Sequence, residues 1–206
     1  MNGLRSRTIP RTLRSTPWRD VDLWAVDLET SGLDAKRDQI LSVGMVPIRG
    51  GTIHLGEAYY SLTRPRERIA LDGLPAHHIL PGELDRGRDL SEILEDIDPR
   101  LEGAVLVAHH SAVERAFLKR ASKEYLGRPF EHPILDTLDT FERVARRERM
   151  LGASIPRAPL GLAAAREYVG LPPHNEHHAL WDALAAAELL LVLAARLDAA
   201  RLGELA

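Results

Sequence analysis

The 206-residue chain has no cysteine. A disulfide framework and a thiolate zinc site are therefore excluded, and a reducing, cytoplasmic compartment is the natural expectation. A run of 18 apolar residues is also lacking. The longest candidate, 183–197, is interrupted by Glu188 and reads as a buried helix, so no membrane span is expected. The first residues include arginines but no apolar signal-peptide core. Excess positive charge is missing too: 27 Lys and Arg stand against 30 Asp and Glu, a net −3. That balance argues against a protein coating long duplex DNA, where affinity comes from neutralising many phosphates. It is compatible with an enzyme that grips a few nucleotides at a chain end.

What is present is an ordinary 45% of hydrophobic residues in a chain long enough for one domain. Residues 1–17 carry Arg5, Arg7, Arg11 and Arg14 with Pro10 and Pro17, and read as a flexible basic arm before a single domain over 18–206. Apolar, β-prone runs predict strands near 21–29 and 40–48. The Gly50-Gly51 turn sends a third strand, 52–62, back antiparallel to the second. Helix and strand patterns then alternate. A helix is expected over 90–97, a buried strand over 104–108, and a helix from a Ser111 cap to Tyr125. A very short strand at Ile134-Leu135 and helices over 138–149, 160–168 and 178–202 follow. The result is an α/β domain with a mixed five-stranded sheet flanked by helices.

Two acids stand out. Asp27 and Glu29 lie two apart in the apolar run Trp24-Ala25-Val26-Asp27-Leu28-Glu29, so on a strand both carboxylates point to one face. Burying charge costs heavily unless it is paired or holds a metal. Glu114 lies one turn into the helix after the 104–108 strand, and Asp182 lies in the last helix, five residues after His177. Sites in open α/β sheets form outside the carboxyl ends of the strands, where these segments meet. Four carboxylates gathered there repel one another without cations, and oxygen ligands suit Mg²⁺ or Mn²⁺. Two such ions form a clamp for phosphodiester hydrolysis, with a neutral histidine able to take a proton from water. A zinc site built from His174, His177 and His178 is the competing reading of the histidines. The acid set already accounts for His177 and favours a hard cation.

These residues resemble the DnaQ-like exonucleases, the DEDDh branch of the ribonuclease-H-like fold. Asp27-Leu28-Glu29-Thr30-Ser31-Gly32 is similar to the family's Asp-x-Glu-Thr-x-Gly. Ala108-His109-His110-Ser111-Ala112-Val113-Glu114 with Phe117-Leu118 resembles Ala-His-Asn-x-x-Phe-Asp-x-x-Phe-Leu. His177-His178-Ala179-Leu180-Trp181-Asp182-Ala183 resembles His-x-Ala-x-x-Asp-Ala. His77-His78-Ile79 and Asp136-Thr137-Leu138 match two further segments, in the right order, over about residues 20 to 195. The second motif departs at His110, Val113 and Glu114, where the family has asparagine, phenylalanine and aspartate.

The resemblance implies 3′→5′ removal of nucleotides from single-stranded DNA or RNA ends, with two divalent metal ions, Mg²⁺ or Mn²⁺. It makes Asp27, Glu29, Glu114 and Asp182 metal ligands and His177 the general base. The backbone around Thr30, with Leu33, His77 and Val113, would line the pocket for the terminal nucleotide. Trimming of RNA ends is one alternative, and a catalytically weak nucleic-acid-binding module that kept the fold is another. Proofreading members bind a sliding clamp through a glutamine-led peptide. The one glutamine here is Gln39, inside the core region, so no such clamp partner is expected. Asp136 is expected to cap the helix it precedes, and 146–159 is the candidate flap over the substrate strand.

Overall fold

The computed structural model describes residues 9–67, 79–152, 154 and 161–206. Five strand positions form one mixed sheet. Strand β1 (Leu23–Thr30) lies centrally, antiparallel to β2 (Ile40–Arg49) and parallel to β5 (Val105–Ala108), which in turn runs parallel to β6 (Ile134–Asp136). The edge beyond β2 is split. The single strand expected over 52–62 is broken by a 3₁₀ turn at Leu55–Glu57 into β3 (Thr52–Ile53) and β4 (Tyr59–Leu62), both paired with β2. Among the described residues the sheet therefore has six strands in five positions.

Period-two alternation along β1 sorts its side chains between two cores. Trp24, Val26 and Leu28 join Ile93 and Leu94 of α3 (Leu90–Ile97) and Phe117 and Leu118 of α4 (Ala112–Tyr125). Leu23 and Ala25 turn the other way, onto Ala187 and Leu190 of α7 (Ala179–Leu197). Continuing the second series by two and by four residues reaches Asp27 and Glu29. The acids thus occupy the α7 side of the sheet, where the apolar series stops. Helices α5 (Thr137–Met150) and α6 (Leu162–Val169) complete a third layer by packing Phe141, Val144 and Ala165 against Leu189 and Leu193.

Helix α7 approaches the sheet unusually closely. A Cβ on Gly44 of β2 would stand 2.2 Å from the carbonyl carbon of Ala179, so backbone meets backbone. Gly44 is the cross-strand partner of Asp27. Only glycine at 44 lets the first turn of α7 lie beside the acids. Alanines at 179, 183, 186 and 187 of the helix are all buried.

The ends of the chain correct two expectations. The last helix does not reach residue 202: it stops at Leu197, where Asp198 turns left-handed (φ 54°), and a four-residue helix, Leu202–Leu205, follows. Nor is the basic arm free from residue 9 onward. Ile9 is buried, Arg11–Arg14 form a helical turn, and the indole of Trp18 donates to the Ala199 carbonyl at 2.9 Å. The Leu202 amide donates to Thr16, so the arm and the C-terminal segment pair with each other. Residues 1–8 lie outside the described residues.

Candidate active site

Three carboxylates converge: one oxygen each from Asp27, Glu29 and Asp182 all lie within 4.8 Å of one another. Among the described residues this is the one group of three or more potential metal ligands so close together. Two of them come from β1, whose ladder with β2 is irregular between Glu29 and Thr30. Such bulges re-aim side chains beside functional sites. The third comes from the first turn of α7, brought alongside by the Gly44 contact.

Glu114 stands outside that tight trio but in its field. Its side chain, 6% exposed, comes from the first turn of α4, and Oε2 has no hydrogen-bond partner among the described residues. Burial pushes the Glu114 carboxyl up to about 8; its own backbone hydrogen bond opposes this, and the charges of Asp136 and Glu29 add to it. Asp27 is raised well above the usual carboxylate range, by burial first and then by the charges of Glu114, Asp182 and Glu29. Glu29 rises to about 7 through burial and Asp182, partly offset by His177. Asp27, Glu29 and Glu114, whose ionisation burial and neighbouring charges oppose, lie beside Asp182, and Glu114 has an orphaned buried oxygen. The set fits a hard divalent cation: all-oxygen donors supply what Mg²⁺ and Mn²⁺ take.

The histidines sort themselves differently from their sequence. His177 is exposed, close enough to Glu29 to lower its pKa, and held with a left-handed backbone (φ 64°) just before α7. His174, which motif spacing does not single out, bonds through Nε2 to Asp182 Oδ1 at 2.8 Å. The amides of His177 and His178 donate to Asp182 Oδ2 at 2.8 and 3.2 Å. His178 stacks on Tyr60 with ring centroids 4.6 Å apart, and Trp181 adjoins it at 6.2 Å. Tyr60 is the cross-strand partner of Gly44, in one row with Asp27, so these rings flank the acids. The zinc reading loses ground here, because His174 is committed to Asp182.

One of the second motif's departures, His110, acquires a local explanation. His110 has φ 63°, a left-handed conformation that asparagine and histidine adopt more readily than most residues. Asp136 caps α5, as expected, by accepting from Leu138 N at 3.0 Å. It also accepts from His110 N and Ser111 N at 2.9 and 2.8 Å, so one carboxylate fixes the loop that starts α4. The expected Ser111 side-chain cap makes no such bond. Of the expected pocket residues, Leu33 is 78% exposed on the turn after β1, and the Thr30 hydroxyl is turned to the Gly32 carbonyl at 2.7 Å. Val113 packs part-buried on the α4 side. His77 lies outside the described residues, as do 153 and 155–159 of the expected flap; its first part, to Met150, is the end of α5.

The sequence profile of the exonuclease family RNase_T matches residues 24–190, most of the chain and all four acids. The chain belongs to the DnaQ-like exonuclease family. It is 31% identical over 189 residues to a DNA polymerase III subunit epsilon-like protein of Rhodobacter capsulatus, covering 91% of this chain and 26% of that one. It is 29% identical over 172 residues to the PolC-type DNA polymerase III of Thermotoga maritima, covering 84% of this chain and 12% of that polymerase. The chain thus spans about a quarter or less of these relatives' length. The fold matches Escherichia coli exonuclease I solved with a dA16 oligonucleotide, with a TM-score of 0.69 at 15% identity, over 86% of this chain and 41% of that one. Cell-death related nuclease 4 matches with a TM-score of 0.62 at 14% identity, over 82% and 62%. At these identities the structural likeness speaks for the fold. Among the described residues, no helix is long and apolar enough to cross a membrane.

Proposed function

We propose that this chain is a divalent-metal-dependent exonuclease that removes nucleoside monophosphates from the 3′ ends of single-stranded nucleic acid, DNA in preference to RNA. The observation that carries the reading is the convergence of Asp27, Glu29 and Asp182 with His177 beside them. Asp27, Glu29, Asp182 and Glu114 would hold two cations, Mg²⁺ or Mn²⁺, which when bound offset the acids' charge and polarise the phosphodiester and the water that attacks it. His177 takes the proton of that water at a ring nitrogen. Its exposed, left-handed position at the mouth of the site suits a group that must meet both solvent and substrate. The family resemblance assigns the backbone at Thr30, with Leu33, Val113 and His77, to the pocket for the terminal nucleotide. The rings of Tyr60, His178 and Trp181 offer stacking faces to an unpaired base. The DNA polymerase III relatives favour DNA as the substrate.

The test is digestion of a 5′-labelled single-stranded DNA oligomer with Mg²⁺ or Mn²⁺, beside RNA of the same sequence. A ladder shortening from the 3′ end is expected, abolished by Asp27→Ala and slowed about 10²–10⁴-fold by His177→Ala. Glu114→Ala then reports whether the fourth acid contributes. If wild type leaves both DNA and RNA intact, the nuclease reading is wrong and a binding module takes its place.

A further inference from the structure

We infer that His174 is a positioning residue: it fixes Asp182 in the orientation that receives the divalent cation, and ties to that acid the loop that carries His177. The inference rests on the proposed nuclease reading and adds to it a residue that its motif does not contain.

His174 and Asp182 are both nearly enclosed, their side chains 9% and 12% exposed, and joined by the 2.8 Å bond from Nε2 to Oδ1. An ionised carboxylate only accepts, so Nε2 carries the proton and the tautomer follows. The other ring nitrogen, Nδ1, is buried without a partner among the described residues. Leaving a buried polar atom unsatisfied is costly. A histidine kept there at that cost is held by its one good bond, the bond to Asp182. The opposite carboxylate oxygen, Oδ2, is taken by the two backbone amides of His177 and His178. Asp182 is thereby clamped from both sides, and its second lone pair on Oδ1 remains for a ligand alongside Asp27 and Glu29. The same three bonds make Asp182 the anchor of residues 174–178. If the His174 bond is removed, the acid gains a rotamer and the His177 loop loses a tether.

The loop is held independently at its other end. Arg166, fully buried, donates to the carbonyls of Pro172 and Ala185 at 3.1 and 2.9 Å and pairs with Glu188 at 2.8 Å. Loss of His174 therefore loosens the site without unfolding the helix that bears it.

Hydrogen-bond partners of metal-ligating groups set metal affinity by about 10–100-fold. The experiment measures Mn²⁺ affinity of the full chain by electron paramagnetic resonance, without nucleic acid, for wild type, His174→Ala and His174→Gln. Glutamine can place an amide N–H near the position of Nε2. His174→Ala is expected to weaken Mn²⁺ binding about 10–100-fold and lower kcat more than it raises KM, while His174→Gln recovers most of both. Thermal midpoints of the two metal-free variants should lie close together, separating the effect from simple loss of packing. Unchanged Mn²⁺ affinity in His174→Ala overturns the inference and leaves the nuclease reading standing. Equal losses in the alanine and glutamine variants also overturn it, since ring packing rather than the hydrogen bond would then matter. Wild type that binds no Mn²⁺ overturns the nuclease reading and this inference with it.

Discussion

Two loops deliver acids to the site by the same local design and secure them differently. Each contains a left-handed histidine, His110 or His177, and each leads into a helix whose first turn carries an acid, Glu114 or Asp182. In each, two consecutive loop amides converge on one carboxylate. In the first loop that carboxylate is Asp136, on β6, and Glu114 keeps an unpartnered oxygen. In the second it is Asp182 itself. The first arrangement separates holding the loop from serving the site; the second assigns both to one side chain. An acid that serves the site alone can tolerate an extra methylene, and position 114 is where this chain departs from the family's aspartate. An acid that also anchors its loop leaves no such freedom.

The comparison breaks most visibly at Asp182. Asp182→Asn is expected to lower exonuclease activity by about 10³-fold or more and to lose Mn²⁺ binding, because it removes a charge from the trio and weakens a loop anchor together. If activity falls by less than tenfold, Asp182 is not the shared element. Asp136→Ala should do the reverse. The lost cap and two lost loop bonds destabilise the fold by about 1–3 kcal/mol, readable as a lower urea midpoint, while Mn²⁺ still binds and activity falls modestly. If Asp136→Ala abolished Mn²⁺ binding in a folded protein, the separation drawn for the first loop would fail.

The acids' raised pKa values sharpen the contrast by pH. Glu29 and Glu114 stand near 7 and 8 in the fold, above the ordinary glutamate range of the unfolded chain. Between about pH 4.5 and 8 the folded state therefore binds more protons than the unfolded one. Metal-free stability is greatest at the acid end of this window and falls as pH rises through the folded-state values. A thermal midpoint that drops from about pH 5 to 8 without metal, and stays level with saturating Mn²⁺, is the expected pair of curves. Glu114→Gln should flatten part of the metal-free slope. The smallest effect is expected from Glu114→Asp, which shortens the side chain at a position where one carboxylate oxygen has no partner among the described residues to lose. Steady-state rates within about tenfold of wild type would agree, and a collapse as deep as that of Asp182→Asn would not.

How far the sequence spoke depends on how local the cause was. The pairing of Asp27 with Glu29 is written in the two-residue period of a strand, and the structure puts both where that period puts them. The alternating order of strands and helices was legible for the same reason. The bond from His174 to Asp182 obeys no such period: it crosses a loop that doubles back, and only the folded chain brings the two together. Asp136 is legible as a cap from its neighbours in sequence; its bonds to His110 and Ser111, 26 and 25 residues away, are not. The docked arm depends on Trp18 reaching Ala199 across 181 residues. The split edge strand and the early end of the last helix turn on one 3₁₀ turn and one left-handed aspartate, neither forced by composition.

The placement of the tryptophans gives the chain an optical readout of its own. Trp18 and Trp24 are 3% exposed, while Trp181, beside the acids, is 45% exposed. Iodide in solution should quench emission from Trp181 and spare the other two. An oligonucleotide arriving over the Tyr60–His178–Trp181 rings should shield that fraction. Occupancy of the site could then be followed in unlabelled wild-type protein, with Trp181→Phe as the silent control.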